Sequence, residues 1–300
     1  MGAVDIVVVS YNSRDALRGC VEPLLGMADV TVIVVDNASH DGSLEAIADL
    51  PVTTIENPRN GGFSYGVNVG WRAGSAPYVM LLNPDATIDE ASVGRLVAVL
   101  EGDPRAGGAA PRITNSDGSL QHSLRRFPRL RSTYAQALFL HRLAPRAPWA
   151  DEVIRDPRRY GARWEPEWVS GACVLLRRST LERLGGLDEG FFLYGEDKDL
   201  CRRIRDLGFS VVYEPEARCT HLGGASAPRA GLLPVLAASR VRYARKHSPR
   251  PAALLERAGI ALSDATHALA GRGGTAVRSG HLAALRVSLG LRNGGGPFDL

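Results

Sequence analysis

Four short apolar runs in the first 82 residues are separated by stretches with helical spacing, and this alternation leaves the chain few architectures to choose from. The runs are residues 5–10 (DIVVVS), 30–36 (VTVIVVD), 52–56 (VTTIE) and 78–82 (YVMLL). Most of them lack the every-second-residue polar pattern of a sheet with one wet face, so they must be covered on both sides. Between them lie Leu17, Val21, Leu24 and Leu25 at helical spacing after a cap candidate at Ser13, then Leu44, Ile47 and Ala48 in SHDGSLEAIADL, then a glycine-rich helix over residues 62–73. Strand and helix in strict alternation predict an α/β fold whose central sheet is mostly parallel, Rossmann-like and flanked by helices.

In such a sheet, ligands collect at the carboxyl ends of the strands, where loops meet and helix N-termini present free N–H groups. Three of these ends are polar: Ser10-Tyr11-Asn12, Asp36-Asn37-Ala38-Ser39 and Asn83-Pro84-Asp85. Any one could be a cap or an Asx turn. Three at one edge call for a ligand. Neither G-x-G-x-x-G nor G-x-x-x-x-G-K-[ST] occurs, so phosphates must be held another way. A carboxylate such as Asp36 suits a base N–H or a ribose hydroxyl. Asp85, its approach stiffened by Pro84, suits a hard divalent cation set against a diphosphate. Gly62, Gly66 and Gly70 share one helical face and permit close approach to sheet or ligand.

The second half is less regular. Residues 121–165 are rich in Arg and Pro, which predicts loops and short helices. Strands are expected at 168–176 and 209–213, and helices at 179–184 and 197–207. After residue 226 the sequence reads as helices broken at Pro234, Pro249 and Pro251, with loops at Gly271–Gly274 and Gly294–Gly296. Glu196, Asp197 and Asp199 crowd the start of one helix, where the macrodipole favours negative charge, and the preceding FFLY gives a partly dry setting that suits a general base. His221 follows a short strand and could return to the cleft beside Asp85. The cysteines Cys20, Cys173, Cys201 and Cys219 are scattered, which fits small buried thiols rather than a zinc knuckle or disulfides.

Net charge is +4, and residues 221–300 hold eleven Lys or Arg against three Asp or Glu. No window approaches a membrane span, and the passage from Met1 to the acidic Asp5 offers no basic n-region, so a cytosolic chain is expected. The basic tail alone would favour a nucleic-acid module, but it lacks aromatics for base stacking, and no nucleic-acid partner is expected. A nucleotidyltransferase would need a glycine-rich basic loop after the first strand, where this chain has SYNSRD.

In order, VVVSYNS (7–13), VVDNASHDGS (34–43), NPRNGGFSYGVNVG (57–70), LLNPDA (81–86), SGACVLLRR (170–178), GGLDEGFFLYGEDKDLCRRIRDLG (185–208) and the His221 segment resemble the family 2 glycosyltransferases of GT-A fold. The resemblance spans about residues 4–225 and divides the chain into a catalytic domain, 1–225, and a basic helical extension, 226–300. It implies that Ser10, Tyr11, Asn12, Asn37 and Gly62 lie along the nucleotide-sugar, that Asp36 reads the pyrimidine, and that Asn68 lines the donor site. Asn83-Pro84-Asp85 stands for the D-x-D element, with Asn83 toward the ribose. Asp85 and His221 are implied to hold Mg2+ or Mn2+, Asp197 to be the base of an inverting displacement, and Glu196 to orient it or the acceptor. The NPD form, GSLQHSLRRFP (118–128) and YARKHS (243–248) resemble bacterial rhamnosyltransferases. That implies dTDP-L-rhamnose as donor, with UDP-sugars as the alternative, and a polyprenyl-diphosphate-linked saccharide acceptor in cell-wall or surface-polysaccharide assembly. The Arg-rich 125–163 region and the basic tail would then hold the enzyme peripherally against an anionic membrane face.

Overall fold

A computed structural model of the protein describes residues 4–145, 147–223, 229–271 and 273–291. The expected first strand and helix are β1 (Val4–Ser10) and α1 (Arg14–Val21), followed by β2 (Val30–Asp36), β3 (Thr53–Glu56), α2 (Phe63–Ala73) and β4 (Tyr78–Leu82). Between β2 and β3 the expected helix is only a single 3-10 turn, Glu45–Ile47. The reason is local: the side chains of Asp36, Ser39, Asp41 and Ser43 bond one another and nearby backbone N–H groups, an alternative to helical pairing. Ser13 sits at the N-cap of α1 without a side-chain capping bond.

Residues 86–114 form β5 (Ala86–Ile88), α3 (Glu90–Gly102), capped by the Asp89 side chain on Ser92 N, and β6 (Ala106–Thr114). The chain then makes β7 (Leu124–Arg125), α4 (Leu130–Ala137) and α5 (Leu140–Leu143). The strand expected at 168–176 is two, β8 (Trp168–Val169) and β9 (Cys173–Arg177), because residues 170–172 turn between them. Then come α6 (Arg178–Leu184), α7 (Glu196–Asp206), and β10 (Ser210–His221), which runs eight residues past the expected end at residue 213.

Two compact units emerge. The first comprises residues 1–125, 157–190 and 196–226. Its sheet has the order β3-β2-β1-β4-β9-β6-β10-β5. β1 is parallel to β2 and β4, β2 to β3, and β6 to β10, while β9 runs antiparallel to β4 and β6, and β5 antiparallel to β10. This is the mostly parallel, helix-flanked α/β sheet that the alternation predicts. Val8, Val34, Met80 and Leu175 from four neighbouring strands share its main core with Leu17 of α1 and Leu96 of α3. On the other face α2 packs so close that a Cβ on Gly66 would sit 2.6 Å from Val9 Cγ1, and one on Gly70 would sit 2.4 Å from Val7 Cγ1. The glycine repeat is therefore spent on helix-to-sheet contact.

The second unit comprises residues 126–156, 191–195 and 227–300, so the helical extension shares a core with part of the Arg-rich segment. Its helices are α4, α5, α8 (Arg229–His247), α9 (Arg250–Ala270) and α10 (Gly274–Leu289). Pro251 starts α9, as a residue without an N–H can, whereas Pro234 lies inside α8 and does not end it. The Ala230 carbonyl that Pro234 leaves without its helical donor faces Gly280 of α10, where a Cβ would be only 2.4 Å from that oxygen. The Gly294–Gly296 run lies outside the described residues.

Gly70→Ala should destabilise the fold by about 1–3 kcal/mol through overpacking against Val7 and Val35. Gly19→Ala in α1, where a Cβ meets nothing within 4 Å, should be neutral or stabilising by up to ~1 kcal/mol. Urea unfolding of the two variants measures both.

Candidate active site

The chain winds outward from β1 through β2 to β3, then returns to lay β4 on the opposite side of β1. Loops leaving the carboxyl ends of β1 and β4 therefore diverge, and a crevice opens between them. It is a hollow of about 110 Å³ lined by Asn12, Arg14, Asp15, Asp41, Pro84 and Asp85. Asn83 N donates to Ala172 O, and Ala86 N closes a tight turn on Asn83 O, so YVMLL ends in a turn that presents Asp85 at the crevice.

Asp85 meets the end of β10. Its Oδ1 lies 3.1 Å from His221 Nε2, its Oδ2 accepts from Gly223 N, and its carbonyl accepts from Leu222 N. Burial pushes the Asp85 carboxyl up, but the hydrogen bonds and charge of His221, with the Gly223 amide, outweigh it and leave the group below the usual carboxylate range. The imidazole is oriented from behind. His221 Nδ1 lies 2.9 Å from Gln121 Oε1, and Gln121 Nε2 donates to Asn115 Oδ1, so Nδ1 must carry the proton. Nε2 is left facing Asp85 Oδ1, with Asn83 Nδ2 also 3.1 Å away. Protonated at both nitrogens, the ring donates from Nε2 to Asp85 Oδ1; protonated at Nδ1 alone, it sets an Nε2 lone pair beside that oxygen, an arrangement that a cation reconciles. One carboxylate and one imidazole fit a divalent cation that completes its shell with phosphate and water. Among the described residues no third His, Cys, Asp or Glu joins them.

Asp197 is tied to the same edge. Its Oδ2 accepts from Gly171 N at 3.2 Å, and the next residue, Ala172, accepts from Asn83 N at 2.9 Å. That chain of contacts puts the carboxylate within roughly 12 Å of the Asn83 backbone. Its Oδ1 accepts from Lys198 N at 2.7 Å, at the first turn of α7. Desolvation raises its pKa despite these donors and the nearby cations Lys198 and Arg125. Glu196 is buried more deeply. Its Oε2 has no hydrogen-bond partner, and desolvation, then the Asp197 charge, hold it well above the ordinary range. Both carboxylates line a narrow apolar cavity with Phe63, Leu187 and Val211, which leaves about 10 Å³ for the centre of a water molecule. The third carboxylate, Asp199, is an ion-pair partner of Arg203.

The donor-side residues divide. Asp36 stands level with Ser10 across β1 and β2, and lines a hollow of about 450 Å³ with Ser39, Ser43, Thr54 and Glu56. Its carboxylate accepts from Ser39 N and Oγ, the Asx-turn arrangement, and both bonds fix it at the hollow's wall. Asn12, at φ +50°, is exposed at the crevice, and Tyr11 beside it is half-buried. Ser10 is buried, with an unpartnered Oγ. Gly62 needs its φ of +87° to begin α2. Two assignments take a structural sense. Asn37 donates to Gly62 O and accepts from Asn57 Nδ2. Asn68 is saturated: its Nδ2 donates to Leu187 O and Glu189 Oε1, and its Oδ1 accepts from Leu187 N and Trp71 Nε1. Both hold the loops that form the walls.

Arg14 and Gln121 were not singled out by the sequence. The first lies in SYNSRD, and its single positive charge beside three strand-end carboxylates was the available signal. The second lies in GSLQHSLRRFP, noted there only for its resemblance.

Comparison with known proteins shows the family of the chain. The glycosyl transferase family 2 profile matches residues 5–185. An N-acetylglucosaminyl-diphospho-decaprenol L-rhamnosyltransferase of Mycobacterium tuberculosis is 33% identical over 231 residues, 72% of this chain and 75% of that one. Rhamnosyltransferase WbbL of Escherichia coli is 24% identical over 73% of this chain and 83% of its own length. A mannosyltransferase from Pyrobaculum calidifontis, solved with GDP-Man and Mn2+, superposes with a TM-score of 0.57 at 19% identity over 97% of this chain and 81% of that one.

Two outcomes follow from the electrostatics. The raised Glu196 pKa means that, above the unfolded value of 4.5, the unfolded chain ionises this group while the fold keeps it neutral, so stability is lost as pH rises through that window. Glu196→Gln should therefore raise Tm at pH 7, with the gain vanishing near pH 4. For Gln121, nitrogen NMR of the wild type should show His221 protonated at Nδ1. Gln121→Ala should mix the tautomers and weaken Mn2+ affinity in the presence of nucleoside diphosphate by about 10- to 100-fold.

Proposed function

The chain belongs to glycosyl transferase family 2, and from that premise we propose that it moves L-rhamnose from dTDP-L-rhamnose, with inversion, to a hydroxyl of a polyprenyl-diphosphate-linked saccharide during cell-wall or surface-polysaccharide assembly. The observation that carries this reading is the Asp85–His221 pair at the β1/β4 crevice, with Asp197 joined to the same edge through Gly171 and Ala172. The choice of sugar is supported by the rhamnosyltransferase activity of the mycobacterial and Escherichia coli relatives, and the choice of acceptor by the diphospho-decaprenol substrate of the mycobacterial one.

In this mechanism Asp36 accepts from the pyrimidine in the hollow beside β2, Tyr11 and Asn12 lie along the nucleotide, and Asn83 meets the ribose. Asp85 and His221 hold Mg2+ or Mn2+, which when bound supplies positive charge to the departing diphosphate. Arg14, lining the same hollow, adds a fixed cation on the diphosphate side. Asp197 takes the proton from the acceptor hydroxyl as that oxygen attacks the anomeric carbon. Desolvation raises its pKa, which makes it a stronger base than an exposed aspartate. Burial, then the Asp197 charge, disfavours ionisation of Glu196, which limits negative charge beside the attacking oxygen. The narrow apolar cavity behind the two carboxylates limits water as a competing nucleophile.

Asp197→Asn should lower kcat by ~10²- to 10⁴-fold while dTDP binding is retained. Thermal-shift screening of dTDP- and UDP-sugars with and without Mn2+ tests the donor, since a ligand of the folded state raises Tm according to its affinity. Stabilisation by dTDP-L-rhamnose supports the reading. Stabilisation by UDP-sugars alone replaces the donor, and pyrophosphate release from a nucleoside triphosphate would overturn the transfer chemistry.

A further inference from the structure

One end of the helical unit combines apolar exposure with an absence of acid. Thr266 Oγ1 donates to Ala137 O at 2.8 Å, and the Phe139 ring stacks 4.5 Å from His267, so the segment around α5 and the last turn of α9 share that end. Phe139, at φ +58°, turns the chain there. Leu143 is 83% exposed, Leu269 82% and Leu138 53%. Trp149 is exposed in the turn that follows α5, and the Arg142 guanidinium stands 4.4 Å over Phe139. Among the described residues, 138–150 and 265–284 contain no Asp or Glu and hold Arg142 and Arg278.

A solvated helical face explains neither the leucines nor the missing acids, since such faces mix charges of both signs. A second copy of the chain would set like charge against like charge. An anionic bilayer suits both features: leucines enter the boundary between headgroups and acyl chains, arginines meet lipid phosphates, and a Trp sits at headgroup level. No described helix is long and apolar enough to cross a membrane.

We propose that the Leu138–Leu143 and Leu269 surface of the helical unit docks on an anionic lipid surface. The proposal deepens the lipid-linked acceptor reading, on which it rests for its purpose.

The test is sedimentation of the full chain with phosphatidylcholine vesicles that contain or lack phosphatidylglycerol, for the wild type and for a double variant, Leu143→Glu with Leu269→Glu. Both positions are exposed, so an unchanged Tm is expected, and Arg142→Ser serves as a second variant. The wild type should bind the anionic vesicles, less so at high salt, and the double variant should bind at least about tenfold more weakly. The proposal falls if the wild type ignores anionic vesicles, if the variants bind as well as the wild type, or if light scattering shows that the substitutions instead dissociate a dimer. Sugar transfer to a water-soluble acceptor is measured alongside. Transfer without vesicle binding defeats only the docking surface, whereas vesicle binding without transfer defeats only the proposed activity.

Discussion

The reversal of strand order between β1 and β4 is the constraint from which the site follows. A parallel sheet that grew in one direction only would send every loop the same way and leave no gap. Returning β4 to the other side of β1 parts the loops, and the parting is filled with polar side chains because no hydrophobic strand continues through it. Asn12 and Asp85, more than seventy residues apart in sequence, line one hollow for this reason. The close seating of α2 through Gly66 and Gly70 holds the flank on which that geometry rests.

Around this gap, charge is arranged in opposite senses. Asp85 is kept below the carboxylate range by donors that face it, whereas Asp197 and Glu196 are pushed above it by dryness. The fold thus gives its carboxylates different surroundings, polar donors at one and an apolar wall at the others. The His221 imidazole depends on an amide chain, Asn115 to Gln121 to His221, supplied by a loop that follows β6.

Much of the fold was legible in the sequence because buried parallel strands are continuous apolar runs. YVMLL and VTVIVVD read as β4 and β2 almost to the residue. Residues 86–120 were less legible: β5 is three residues long, and β6, AGGAAPRIT, has glycine and proline where strand formers are expected, being held instead by its two neighbours. The helix expected after residue 39 lost to side-chain bonds that are individually ordinary. In the candidate site, residue type and position singled out Asp85 and His221, which lie 3.1 Å apart, and Asp197, which is joined to the same edge through Gly171. The structural duties of Asn37 and Asn68 were not, because an amide in a glycine-rich helix looks the same whether it faces a ligand or a loop 119 residues away.

The antiparallel β9 has a further consequence. It pairs Leu82 with Cys173, and the residues just before it tether Asp197 to Asn83. Slippage of this strand by a single residue would carry Gly171 about 3.4 Å along the sheet and turn Leu175 from the interior toward the opposite face. The distance from Asp197 to the Asn83 turn is thus metered by one alignment of two strands, and the close packing on both buried faces of β9 holds that alignment.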